Sequence, residues 1–198
     1  MGIASEAAPG DRDRACEVHP GRASHAIAAG VLLVTAWEFS SPGARLWMWL
    51  ILMVCWGGLA AFWVIGLPAT IIWRRALPAK GTWRHWLVIP ALAATVVGFW
   101  FSSAPLYARF LVSRLVMNDL GAEVLASPGR AAPPNQRLGL YWAKDIERVR
   151  GAVRFHVASS GFGNSVGFAY SPAGEPPQLG EDTYWHLEGP WYVWEESW

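Results

Sequence analysis

One stretch of the chain has no polar relief at all. Leu46–Trp73 carries no charged residue over a length that would measure about 42 Å as a helix, enough to cross a bilayer with tilt. Trp47 and Trp49 stand at one end and Trp73 at the other, where indole rings prefer the headgroup level. Gly57-Gly58, Ala60-Ala61 and Gly66 are small enough for close helix packing, and Pro68 is placed to kink the last turns. Trp86–Phe101, extended to about Leu106, forms a return crossing with Pro90 in its first turns and Trp100 at its far end. Ala26–Trp37 is apolar but short, and reaches crossing length only with Arg22–His25 and Glu38–Ser41 added. Ser40-Ser41-Pro42-Gly43 makes the turn that follows. The pattern predicts spans at about 24–41, 46–73 and 84–106: three crossings, or two if the first run does not cross.

Beyond the spans the periodicity changes. Over Tyr107–Ala126, Phe110, Leu111, Leu115, Asn118 and Ala122 repeat at helical spacing, opposed by Arg109, Arg114, Asp119 and Glu123. Six short β-like runs follow: Leu138–Trp142, Ile146–Arg150, Val153–Ala158, Val166–Ser171, Thr183–Leu187 and Trp191–Glu195. Gly, Pro, Asn and Ser separate them at the spacing of an antiparallel meander. A helix followed by strands predicts an α+β domain over 107–198, one amphipathic helix lying on an antiparallel β-sheet. At the other end, residues 1–22 mix Ala, Gly, Pro and alternating charge, a composition that predicts a disordered tail.

Charge then orients the chain. Arg74, Arg75, Lys80 and Arg84 crowd the loop between the second and third apolar runs, so the positive-inside rule makes that loop cytoplasmic. The domain from residue 107 is then extracytoplasmic and, if the first run crosses, the 1–22 tail is cytoplasmic. The overall net charge of +1 averages a basic apolar block with a mildly acidic domain. No folded basic patch remains, and nucleic acid is excluded as a partner. Cys16 and Cys55 lie in unlike surroundings with no zinc or Cys-x-x-Cys spacing, so neither a disulfide nor a cysteine metal site is expected. Abundant Ala, Gly, Pro and Trp, with Arg far ahead of Lys, points to a GC-rich bacterial source.

The chemistry-bearing residues are few. His156 and His186 fall on different strands, and a third metal ligand at plausible spacing is missing. Glu181-Asp182 lie close in sequence to His186, so an enzyme built on His156, His186 and one of these carboxylates is the rival to a non-enzymatic reading. The run 159–165, SSGFGNS, lacks both a following helix and a Gly-Lys-Ser/Thr, so it reads as a hairpin loop rather than a phosphate cradle. Glu38 sits beside Phe39-Ser40-Ser41, which predicts a solvated carboxylate at the membrane interface. The dense aromatic cluster at the C-terminal end must divide between two sheet faces. Its exposed members, Tyr184, His186, Trp191, Tyr192 and Trp194, are the candidate binding surface.

Arg109-Phe110-(x)2-Ser113-Arg114, Gly167-Phe168-Ala169-Tyr170-Ser171-Pro172, Pro176-Pro177 and Tyr184-x-His186-Leu187-x-Gly189-x-Trp191-Tyr192-x-Trp194 together resemble a family of uncharacterised bacterial multi-span membrane proteins with a small Trp/Tyr-rich C-terminal domain. The resemblance covers roughly the last ninety residues and, loosely, the spans before them. It implies the layout already read and brings no activity, ligand or catalytic residue. The expectation is a cell-membrane, multi-pass, non-enzymatic binding or interaction module without a cofactor. Its partners are the lipid bilayer and another membrane or cell-envelope protein. An accessory subunit of a membrane complex, packed through the glycine-rich span, is the further alternative. Placing Arg at Leu59, central in the longest span, should cost about 2.5–3.5 kcal/mol of apparent insertion energy on the translocon scale. A glycosylation-mapping insertion assay reads this directly, and unchanged insertion would remove the segment from the bilayer core.

Overall fold

A computed structural model describes residues 22–43, 45–74, 83–127, 132–159 and 165–196. Residues 1–21 with Cys16, 44, 75–82, 128–131, 160–164 and 197–198 lie outside the described residues, so the readings that fall on them do too.

Helices α1 (Arg22–Phe39), α2 (Leu46–Arg74) and α3 (Trp83–Ser102) form an antiparallel bundle. Two of them, over Leu46–Ala69 and Trp83–Ser102, are long and apolar enough to cross a membrane. Only 6% and 11% of those windows are buried, so their apolar side chains face outward rather than into a protein core. α1 and α3 run in the same direction: His25 stacks on His85 at one end, with centroids 5.4 Å apart, and Phe39 meets Trp100 at the other, 5.9 Å apart. Ala28, Leu59 and Ile89 are the small core of the bundle.

Two indole N–H groups bind the helices together. Pro90 has no N–H to give, which leaves the Trp86 carbonyl without its helical donor, and Trp63 Nε1 from α2 supplies one at 2.8 Å. Trp56 Nε1 reaches Thr35 Oγ1 on α1 at 3.1 Å. Of the glycines expected to bring helices together, one does and two do not. A Cβ at Gly57 or Gly58 would meet nothing within 4 Å, and only Gly66 faces a neighbour, the Trp86 ring.

α3 ends earlier than the hydrophobic pattern suggests. Ser103 takes a left-handed conformation with φ 49°, and α4 (Ala104–Ala126) begins at once with Pro105 in its first turn. Proline is tolerated there because the missing donor has no helical acceptor. The boundary between α3 and the domain helix is therefore Ser103, not residues 106–107.

The rest is α+β. β1 (Gln136–Leu138) and β2 (Tyr141–Ala143) make a small hairpin. β3 (Asp145–Val149), β4 (Ala152–Ser159), β5 (Ser165–Tyr170), β6 (Thr183–Glu188) and β7 (Trp191–Glu195) form an antiparallel sheet in the order β3-β4-β5-β7-β6. Two sequence readings change here. The run Leu138–Trp142 is not one strand but two short ones turned at Gly139, whose φ is 63°. The sheet is not a pure meander either, because the connection after β5 passes over the place of β7 before β6 begins at the edge.

α4 crosses one face of this sheet. Phe110 and Met117 pack with Phe155, Phe168, Trp191 and Val193, and a Cβ at Gly121 would lie 2.9 Å from the Tyr170 ring. The buried stripe is Leu106, Phe110, Ser113, Met117, Gly121 and Val124. Leu111 and Leu115, expected to be core, are 41% and 71% exposed, and Ala122 is exposed as well. The apolar positions of α4 run most of the way around its first half, so spacing alone cannot choose the buried side. Gly121 and Ser113, small enough to let a sheet and a hairpin approach, make that choice. Phe110→Ala should cost about 3–5 kcal/mol. Leu115→Ala should stay within about 0.5 kcal/mol of the parent. Denaturation of the full chain in mild detergent, followed by tryptophan fluorescence, measures both, and equal losses would refute this register.

Candidate functional site

The bundle meets the domain at the short connection between α1 and α2. Arg109, one turn into α4, lies 4.3 Å from the ring centroids of both Trp37 and Tyr141. Its guanidinium donates to Ser40 Oγ at 3.1 Å, to Ser41 Oγ at 3.2 Å and to the Leu140 carbonyl at 3.2 Å. Burial pulls this guanidinium below the usual arginine range. Tyr141 donates in turn to the Ser40 carbonyl at 2.9 Å, and burial pushes its phenol up. Ser113, one turn after Arg109, accepts the Leu140 N–H at 3.0 Å, and a Cβ at Gly139 would strike it. Arg114 pairs with Glu188 at 2.8 Å. Each residue of the Arg-Phe-x-x-Ser-Arg string thus fastens α4 to another element.

Glu188 is aimed there by a β-bulge. The β6–β7 register shifts between His186 and Glu188, so Leu187 is the extra residue and Glu188 turns to the α4 side. Glu38 differs from its expected state. It is 4% exposed and paired with Arg45, whose Nε donates to Oε1 at 3.0 Å. This bond raises the Arg45 pKa. The carboxylate that reads as interfacial and solvated is buried in the seam, because the 40–45 connection folds back over it.

Beside the seam lies a cavity of about 310 Å³. Phe39, Trp49 and Trp100 form its bundle wall, mutually tilted or edge-on with centroids 5.2–5.9 Å apart. Trp185 and Glu195 from β6 and β7 form its domain wall, and Glu38, Ser41 and Ser103 add its other polar groups. Its size and its place between two structural units are those of small-ligand sites.

The candidate residues chosen from the sequence divide. Trp191 is fully buried among Phe110, Phe155 and Tyr170, and its Nε1 donates to Asn118 Oδ1 at 2.6 Å. It is core, not surface. Trp194 lies on the opposite sheet face yet is also fully buried, edge-on to His156 at 4.8 Å and under the Arg154 guanidinium. The two rings belong to different faces because strand side chains alternate, so they cannot share one binding surface. Tyr184 is half-buried beside Arg154; His186 is exposed and Tyr192 half-buried, edge-on at 5.1 Å.

The outer face holds its own ion pair. Arg154 and Asp182 are both buried and bonded to each other, and Arg154 also donates to Tyr184. Burial lowers the Arg154 pKa and its bonds to Tyr184 and Asp182 more than restore it, while burial raises that of Tyr184. Asp182 is thereby committed to Arg154 rather than offered to His186. His156 has Glu147 3.6 Å away, and His186 meets the Gly189 carbonyl at 3.0 Å. Three strand spacings of about 4.8 Å separate the two histidine strands. Among the described residues, no group of three His, Cys, Asp or Glu side chains could hold a metal ion. Arg154 Nε, His156 Nε2 and Trp194 Nε1 are buried on this face with no hydrogen-bond partner among the described residues. A ligand would have to open the face to reach them, whereas the seam cavity is already formed.

The residues of the cavity were each legible only as interface tryptophans or strand positions, and nothing in their spacing joins Phe39, Trp49, Trp100 and Trp185. No protein-family model matches the chain, and no curated protein or solved structure matches it significantly.

Arg109→Lys keeps the charge but loses the planar fork and the ring contact. A loss of about 2 kcal/mol is expected. Faster trypsin cleavage after Arg45, at the end of this connection, in the full chain in detergent is the readout, and a parental rate would show that the clamp does not hold the seam.

Proposed function

We propose that this protein is a membrane-anchored, extracytoplasmic binding module whose ligand occupies the cavity between its helical bundle and its α+β domain. The observation that carries this reading is the cavity: a formed, aromatic-walled space at the junction of two units, bounded by side chains from both. A small ligand there would touch the bundle and the domain at once, so its binding would be linked to how the two are held. Two observations favour binding over catalysis: Asp182, one of the two carboxylates the rival enzyme could use, is committed to Arg154, and His156 and His186 lie on strands three places apart in the sheet.

Three crossings are proposed rather than two. α1 is 18 residues long, about 27 Å, and lies beside α3 from His25–His85 to Phe39–Trp100. Whatever thickness α3 traverses, α1 traverses with it. Arg22 and Arg84 stand at the end away from the domain, where Arg74 closes α2, and Arg75 and Lys80 belong to the sequence between α2 and α3. That end is the cytoplasmic one under the positive-inside rule. The bilayer is then the first partner.

In a chain freed of Cys16 and Cys55, cysteines placed singly at Lys80 and Glu175 should respond oppositely to an impermeant maleimide on intact cells. Glu175→Cys labels and Lys80→Cys does so only after lysis; the reverse pattern overturns the orientation. Full-length protein released from its membrane in mild detergent should carry added small-molecule mass in native mass spectrometry. Protein that arrives bare from every extract would argue against an occupied seam.

A further inference from the structure

We infer that the edge strand β6 takes an extended segment of another polypeptide, which adds to the sheet as a further antiparallel strand. This site is separate from the seam cavity and stands whether or not the cavity is filled. The backbone register identifies it. The Glu196 N–H is given to the Ser165 carbonyl at 2.9 Å, so the Glu196 amide points to β5. Alternation along β7 then aims the amides of Trp194 and Tyr192 at β5 and those of Glu195 and Val193 at β6. Thr183 and Trp185, opposite Glu195 and Val193, spend their backbone groups on that ladder. Tyr184 and His186 therefore present their N–H and C=O groups off the edge of the sheet, about 6.7 Å apart. Among the described residues, no backbone hydrogen bond reaches that edge from another element.

The two edges of the sheet differ. The opposite edge strand, β3, carries Asp145, Glu147 and Arg148, and its Ile146 N–H is already taken by Asp145 Oδ1 at 2.8 Å. Charges on an edge oppose the addition of a further strand. On β6 the only Asp, Glu, Lys or Arg is Glu188, which lies beyond the bulge and is bonded to Arg114 and Tyr107 of α4. From Thr183 to His186 the edge is regular, uncharged and aromatic. Trp185 pairs with the core residue Val193 and so stands on the α4 face, where it is 43% exposed. A residue set opposite it gains a ring to pack on. Donors and acceptors at strand spacing beside such a ring are complementary to an extended backbone.

A second copy does not fit this edge. β5 begins where Gly43 of the α1–α2 connection meets Val166 and ends at Tyr170 against Gly121 late in α4, so it leads away from the bundle. β6 runs in the same sense, being antiparallel to β7, which is antiparallel to β5. Two copies in one membrane are related by rotation about its normal, which keeps both β6 strands running outward. A twofold joins two edge strands only antiparallel. Pairing β6 with the β3 of a neighbour would bring it onto the charged edge.

The probe is a labelled, capped peptide of threonines around one central phenylalanine, residues that favour strands. It is titrated against the full chain in mild detergent and followed by fluorescence anisotropy. With the phenylalanine opposite Trp185, the amides of its two neighbours face Tyr184 and His186, and its own amide faces away. N-methylation of those two amides should weaken binding about tenfold, whereas N-methylation of the phenylalanine amide should change it by less than about twofold. His186→Pro removes an edge N–H that the ladder does not use. It should weaken the parent probe about tenfold with intrinsic tryptophan fluorescence unchanged. Equal effects of the two methylations would show a probe held by side chains alone, and a reversed pattern would show parallel pairing; either overturns the inference. So does a probe that fails to bind. Protein that is dimeric without the probe and monomeric with it would make the occupant a second copy and overturn the partner named here.

Discussion

A single guanidinium holds the two halves of this protein in register. The bundle is too apolar to offer a polar docking surface, and the domain has its own core to cover. Arg109 is the group that both can accept: its plane lies against Trp37 and Tyr141, and its N–H groups are taken by Ser40, Ser41 and Leu140. Those acceptors come from the α1–α2 connection and from the β1–β2 hairpin, so one side chain on α4 fixes three elements. Arginine rather than lysine suits the place because a delocalised, weakly hydrated cation loses less on partial burial and its fork matches fixed acceptors. Tyr141 completes the arrangement by donating to the Ser40 carbonyl in the turn after α1.

With the seam fixed, the sheet has two different jobs for its two faces. The face toward α4 is an aromatic core of ordinary kind. The outer face buries Trp194 under Arg154 and seals it with the Arg154–Asp182 pair, which the connection between β5 and β6 delivers. Such a pair contributes little net stability, but losing one partner strands a buried charge and is costly, commonly about 3–5 kcal/mol. The connection is long because β6 is the edge strand, and its length is what allows Asp182 to reach back across the sheet. Topology and ion pair are therefore one feature.

The edge position of β6 also bears on the seam. Trp185 projects from an edge strand toward the bundle, with Glu195 of β7 beside it, and a bulge sends Glu188 to α4. The cavity is the gap left where the last strands of the sheet approach, but do not close upon, the ends of the helices. Trp185 from one unit and Trp49 and Trp100 from the other face this gap, at the same joint that Arg109 holds.

Much of this was written in the sequence. The charge-free run Leu46–Trp73 can only be an apolar helix, the alternation after Ala126 can only be short strands, and five of the seven strands fall where β-branched and aromatic runs place them. These are local consequences of periodicity and of backbone hydrogen bonding. What tertiary structure alone decided is which of several equivalent faces is used. α4 has apolar residues nearly all round its first half, and the close approach permitted at Ser113 and Gly121 selects Phe110 and Met117 over Leu111 and Leu115. Trp191 and Trp194 look alike in sequence, but sheet pairing puts one in the core and the other beneath an ion pair. Glu38 reads as solvated because its neighbours are polar, and it is buried because the chain folds back to bring Arg45 onto it. The cavity wall gathers Phe39, Trp49, Trp100 and Trp185 from four elements far apart in the chain. Periodicity is a property of neighbours along the chain, whereas such a site is a property of neighbours in space, and only the packed helices and sheet bring them together.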